Sequence, residues 1–86
     1  MRVFVPSPLH SYTGGRGEVQ TKGSTLEEVL QDLDIQFPGI RFRMLDEQNR
    51  IRPHMRIFIN QKPAADIRQR LSLNDEIEIL QALSGG

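Results

Sequence analysis

Two spacings of apolar residues recur along the chain, and each fixes a conformation. Val3 and Val5 stand two apart within residues 1–5, and β-branched residues at that period read as an opening strand, which Pro6 ends. Met55, Ile57 and Ile59 repeat the period in residues 55–60, and Ile77 and Ile79 repeat it in residues 76–83. Both stretches predict strands with one apolar face. Leu26, Val29, Leu30 and Leu33 follow the spacing i, i+3, i+4, i+7, which is one buried stripe of an α-helix. Ser24 and Thr25 are N-cap residues, with Glu27 or Glu28 three positions on as a capping box requires. Glu27, Glu28, Gln31 and Asp32 take the opposite face, and Pro38-Gly39 closes the helix.

Turn chemistry connects these elements. Residues 11–17 hold Gly14, Gly15 and Gly17 and read as a long hairpin turn, after which residues 18–21 return as a second strand and Gly23 closes it. Residues 40–54 mix Ile40, Phe42, Met44 and Leu45 with arginines and read as an irregular segment with a short helical turn. Asn60-Gln61 is a tight turn into a short strand at 62–65, and Asn74-Asp75 is another. The order is ββαβ(β)β, an α+β domain with a mixed sheet on one main helix. Residues 1–86 form a single domain, with a flexible tail at about 84–86. With the valines and isoleucines inward, strand parity turns Phe4, Arg56, Phe58, Glu76, Glu78, Leu80 and Ala82 outward. Phe4, Phe58 and Leu80 then form an apolar patch that reads as a partner-binding face.

Composition removes several functions. Without cysteine there is no disulfide, thiolate metal site or cysteine nucleophile. No apolar run approaches the ~20 residues that cross a bilayer, and no signal segment opens the chain, so a cytoplasmic protein without membrane partners is expected. Formal charge is zero, but residues 39–70 carry eight basic against three acidic groups. Only Phe42 and Phe58 interleave them, too few aromatics for a stacking platform, so nucleic acid is not the expected partner. A solvated face or a patch for an acidic protein accounts for the basic stretch. His10 and His54 have no ligand-spaced companions, and no serine lies in a Gly-x-Ser-x-Gly setting. Gly14-Gly15-Arg16-Gly17 lacks the Lys-Ser/Thr of a phosphate loop, and Asp75, Glu76 and Glu78 read as solubilising charges. No catalytic residue, metal site or bound cofactor is expected, and the chain is not expected to be an enzyme.

Chemistry concentrates in the last residues, Ser84-Gly85-Gly86. At ordinary glycine frequency two terminal glycines arise in about one sequence in 200. They follow directly on a well-patterned strand, so the tail starts from an anchored point. Residues without side chains thread a narrow tunnel and let another protein's active site approach the backbone. The reactive group is the α-carboxylate of Gly86, ionised at neutral pH and a poor electrophile, so its use requires activation by a partner, with nucleotide-dependent adenylation the natural route.

Together these pieces resemble a known family. A strand-turn-strand opening, a helix containing Thr25-Leu26 and Leu30, Phe37-Pro38-Gly39, Ile57-x-Ile59, Leu71 with Asp75-Glu76-Ile77, and Gly85-Gly86 are similar to the ubiquitin-like sulfur carriers of the ThiS/MoaD kind. The first strand is also similar to that of ubiquitin. The resemblance covers essentially the whole chain and implies a ubiquitin-like β-grasp fold. It implies adenylation of Gly86 by an enzyme related to ubiquitin-activating enzymes, with ATP bound by that enzyme and no cofactor in the carrier. A thiocarboxylate on Gly86, with Ser84 and Gly85 as its tail, would then be consumed by a sulfur-accepting synthase in cofactor or amino-acid biosynthesis. Asn60-Gln61 departs from the family's frequent Asn-Gly, and Asn74-Asp75 stands where Asp-Gly or Asn-Asp is common. The length of 40–54 resembles the carriers serving cysteine or related amino-acid and siderophore pathways. Two alternatives stay open: a modifier conjugated to lysines through Gly86, and a β-grasp binding domain whose tail is incidental.

Overall fold

The computed structural model describes residues 1–82. The elements run β1 (Arg2–Phe4), a 3₁₀ turn (Ser7–Leu9), β2 (Glu18–Gln20), α1 (Leu26–Gln36), α2 (Ile40–Met44), β3 (Met55–Ile59), β4 (Lys62–Pro63) and β5 (Glu76–Gln81). The five strands form one sheet in the order β2-β1-β5-β3-β4. β1 and β5 are parallel, with Val3 opposite Ile77. The other pairs are antiparallel, β3 meeting β5 from Ile59 opposite Ile77 to Met55 opposite Gln81. A mixed sheet covered by a helix on one face is the β-grasp arrangement.

α1 begins as its sequence demands. Thr25 is the N-cap, its Oγ1 accepting the Glu28 N–H at 3.2 Å, while the Glu28 carboxylate reaches back to accept the Ser24 N–H at 2.7 Å. The Leu26 and Glu27 N–H groups donate to the Gln69 and Ile67 carbonyls, tying the helix start to the loop before β5. Gly23 carries φ +153°, and a Cβ there would lie 2.8 Å from the Val29 nitrogen, so only glycine fits under the first turn. Leu26, Val29, Leu30 and Leu33 are fully buried, against Val3, Ile57, Ile59, Ile77 and Ile79 of the sheet. Each such side chain contributes about 1.5–3 kcal/mol of burial.

Residues 40–54 contain the expected short helical turn within an otherwise irregular segment. Residues 40–44 form α2, which starts at Gly39 with φ +99°. The Asp34 carboxylate accepts the Gly39 and Arg41 N–H groups and fixes the corner with α1. Ile40, Met44 and Leu45 close the far end of the core, and Leu45 bridges Ile51. Five residues are too short to display a helical period, which is why the pattern there looks irregular. β4 is shorter than the predicted 62–65: it spans Lys62–Pro63, and beyond it the Ala64 N–H still donates to the Ile57 carbonyl at 2.9 Å. Asn60 and Gln61 both take positive φ, +51° and +70°, as a two-residue hairpin requires.

Candidate functional site

β5 is the central strand, flanked by β1 and β3, and it leads straight to the tail. Its last paired residue is Gln81, opposite Met55, and one residue further the Ala82 N–H donates to the His54 carbonyl at 2.7 Å. The departure point of the tail is therefore held by the sheet. The sequence-predicted tail residues Ser84, Gly85 and Gly86 lie outside the described residues.

The structure places Phe4, Phe58 and Leu80 on the outer face of the sheet, as strand parity predicts. Phe4 and Phe58 lie on either side of Glu78, in register with it on β1 and β3, and both are half-buried. Leu80, 42% exposed, sits two residues nearer the tail, opposite Arg56. The three are thus neighbours across adjacent strands, but Glu78 and Arg56 break the apolar surface into a mixed one. At the far end of β1 the Arg2 guanidinium lies 5.5 Å from the Phe4 ring centre and pairs with Glu76 and Glu18.

Two carboxylates and a histidine away from this face are occupied by structure. The Asp46 carboxyl is held below the usual carboxylate range, first by the Arg50 backbone N–H and also by that of Gln48. Asp75 is lowered in the same way, by the Ser72 N–H and the Asn60 side chain. His10 is tied to the Val5 carbonyl through Nε2 at 2.8 Å. Gly14 and Gly15 take positive φ in the turn of the first hairpin. Among the described residues no three His, Asp or Glu side chains converge to hold a metal ion. No helix there is long and apolar enough to cross a membrane.

One grouping was not foreseen from the sequence. Phe42 and Arg43 of α2 meet Arg52 and His54 of the next loop around a cleft of about 330 Å³ beside the tail's departure point. Its signal was the density of arginines between residues 41 and 56, but only the fold of α2 shows which of them come together.

The ThiS family model matches residues 3–86. The sulfur carrier protein CysO of Mycobacterium tuberculosis is 29% identical over 89 residues, covering 98% of this chain and 96% of that one. Its crystal structure superposes with a TM-score of 0.90 at 26% identity, covering 95% and 98% of the two chains. A chain of the Amycolatopsis orientalis BexX/CysO complex superposes with a TM-score of 0.91 at 26% identity, covering 99% and 98%. The fold is the ubiquitin-like β-grasp.

Proposed function

Because the chain belongs to the ThiS family, we propose that it is a sulfur carrier protein in which Gly86 bears the sulfur. An oxygen of the Gly86 carboxylate attacks the α-phosphorus of ATP held by a ubiquitin-activating-type enzyme, and pyrophosphate leaves. A sulfide-level nucleophile then attacks the acyl carbon, AMP leaves, and a thiocarboxylate remains for a sulfur-accepting synthase. The carrier binds no cofactor and supplies no acid or base; it acts as co-substrate. The relatives named sulfur carrier protein CysO, matched along nearly their full length, support this reading.

The observation that carries it is the fixed point of departure. The Ala82 N–H bonds to His54 at the end of the central strand, directly before Leu83-Ser84-Gly85-Gly86. A partner that docks on the sheet therefore has the terminal carboxyl within the about 14 Å that four extended residues span. The mixed outer face of Phe4, Phe58 and Leu80 is the docking surface we assign to these partners. One member of the matched fold is known in a complex, BexX/CysO, which supports a partner-dependent role.

The test is the intact mass of the protein co-produced with candidate adenylating enzymes of its own genome. One oxygen replaced by sulfur, abolished by deleting Gly86, is the expected result. Only the unmodified mass with every candidate present would refute it, and conjugates to lysine that depend on Gly86 would make the chain a modifier. Phe58→Asp and Leu80→Asp are expected to slow loading; unchanged loading and unchanged partner binding would remove the docking face.

A further inference from the structure

Resting on the reading of Gly86 as the reacting residue, we infer that the cleft of Phe42, Arg43, Arg52 and His54 is a docking site for an acidic surface loop of the enzyme that activates the tail. Its place in the fold makes this specific. His54 lines the cleft and its carbonyl accepts the Ala82 N–H, so cleft and departure point share a residue. Gly86 lies four residues beyond Ala82, and four residues fully extended span at most about 14 Å. An enzyme whose active site closes on that carboxyl brings its own surface within this radius of Ala82, whose hydrogen-bond partner His54 lines the cleft.

The chemistry of the cleft selects the partner. Among the described residues no carboxylate lines it. Arg52 is preset: its Nε donates to the Phe42 carbonyl at 2.8 Å and its backbone N–H to the Met44 carbonyl at 2.9 Å. Those two carbonyls end α2, so holding them fixes the guanidinium while its terminal nitrogens make no bond to any described residue. Arg43, exposed in the last turn of α2, has no hydrogen-bond or ion-pair partner among the described residues. Phe42 beside them is 60% exposed. An aromatic ring flanked by arginines is the composition that dominates protein interfaces. A planar guanidinium with free terminal nitrogens accepts a carboxylate two-pronged. A protein partner is favoured over nucleic acid because the reacting group must enter an enzyme's active site and the chain as a whole carries no net positive charge.

The experiment measures binding by surface plasmon resonance, with an adenylating enzyme of the ubiquitin-activating type from the same genome immobilised, at about 50 and about 300 mM salt. Wild type, Arg43→Glu and Arg68→Glu are compared, each first shown to melt as a folded protein. Arg68 carries the same charge but lies in the loop before β5, outside the cleft. Arg43→Glu is expected to weaken binding by roughly tenfold or more and to flatten its salt dependence, with Arg68→Glu within about twofold of wild type. Equal effects of the two substitutions, or no effect of Arg43→Glu, overturn the inference. So does saturable binding of inorganic phosphate or of a short RNA to the isolated carrier that Arg43→Glu abolishes, because the cleft would then serve those ligands. Pyrophosphate release in the same preparations separates the two readings. Turnover of wild type with an indifferent Arg43→Glu leaves sulfur carriage standing and removes the docking site. Binding through Arg43 without turnover does the reverse.

Discussion

On the inner face of β1, β3 and β5, Val3, Ile57, Ile59, Ile77 and Ile79 are at most 5% exposed, and all five are β-branched aliphatics. On the outer face of the same strands the neighbours are Phe4, Glu78, Phe58, Arg56 and Leu80, a mixture of rings, charges and one leucine. The backbone, register and hydrogen bonding are shared; only the parity of the position differs. The inner set is selected by what it must fill, and the outer set is free to be selected by what it must meet. The residues that fill the core therefore alternate along one strand with residues that do not, and a substitution at the outer ones can leave the core untouched.

Neighbouring residues of β5 give the sharpest test of that separation. Ile77→Ala should cost about 3 kcal/mol of unfolding free energy by chemical denaturation, because the fully buried site leaves a cavity beneath α1. Leu80→Ala, three residues along, should cost about 0.5 kcal/mol or less; comparable losses would break the comparison. Gly23→Ala, which drives a Cβ against the Val29 nitrogen under α1, should cost about 2 kcal/mol in the same assay although it removes no contact. Acid titration probes the loops that frame the sheet. Asp46 and Asp75 are both lowered in the folded state, so their contribution is complete above the unfolded carboxylate value and is lost as pH falls through the folded one. Asp75→Asn should lower stability at pH 7 yet lose less of it between about pH 5 and about pH 2; parallel melting curves against pH would refute that. The smallest effect expected is a gain: Gln61→Gly should stabilise by about 0.5 kcal/mol, as relief of the positive φ outweighs added freedom in the unfolded chain.

The inner face was legible because burial leaves a periodic trace. Leu26, Val29, Leu30 and Leu33 announce α1, Thr25 and Glu28 mark its start, and the three main strands follow from their alternation. The outer face was legible in direction, since parity turns Phe4, Phe58 and Leu80 outward, but not in continuity. Only the register shows Glu78 standing between the two phenylalanines. α2 was legible only as a short helical turn somewhere in 40–54, because Gly39 and Asp34 set its place from outside its own five residues. The cleft beside the tail was not legible, since Arg43 and Arg52 meet across a turn that no local spacing encodes.

The parallel pairing of β1 with β5 has a mechanical consequence. The chain enters the sheet at the start of β1 and leaves it at the end of β5, and these two strands lie side by side and run the same way. A pull on the tail against the amino terminus loads every rung between them lengthwise at once, in shear, instead of peeling them singly as in a hairpin. β3 grips β5 from its other side over the five residue pairs from Ile59–Ile77 to Met55–Gln81, adding a second clamp along the same line. A force applied where β5 leaves the sheet is thus shared by the rungs on both of its sides instead of falling on one at a time.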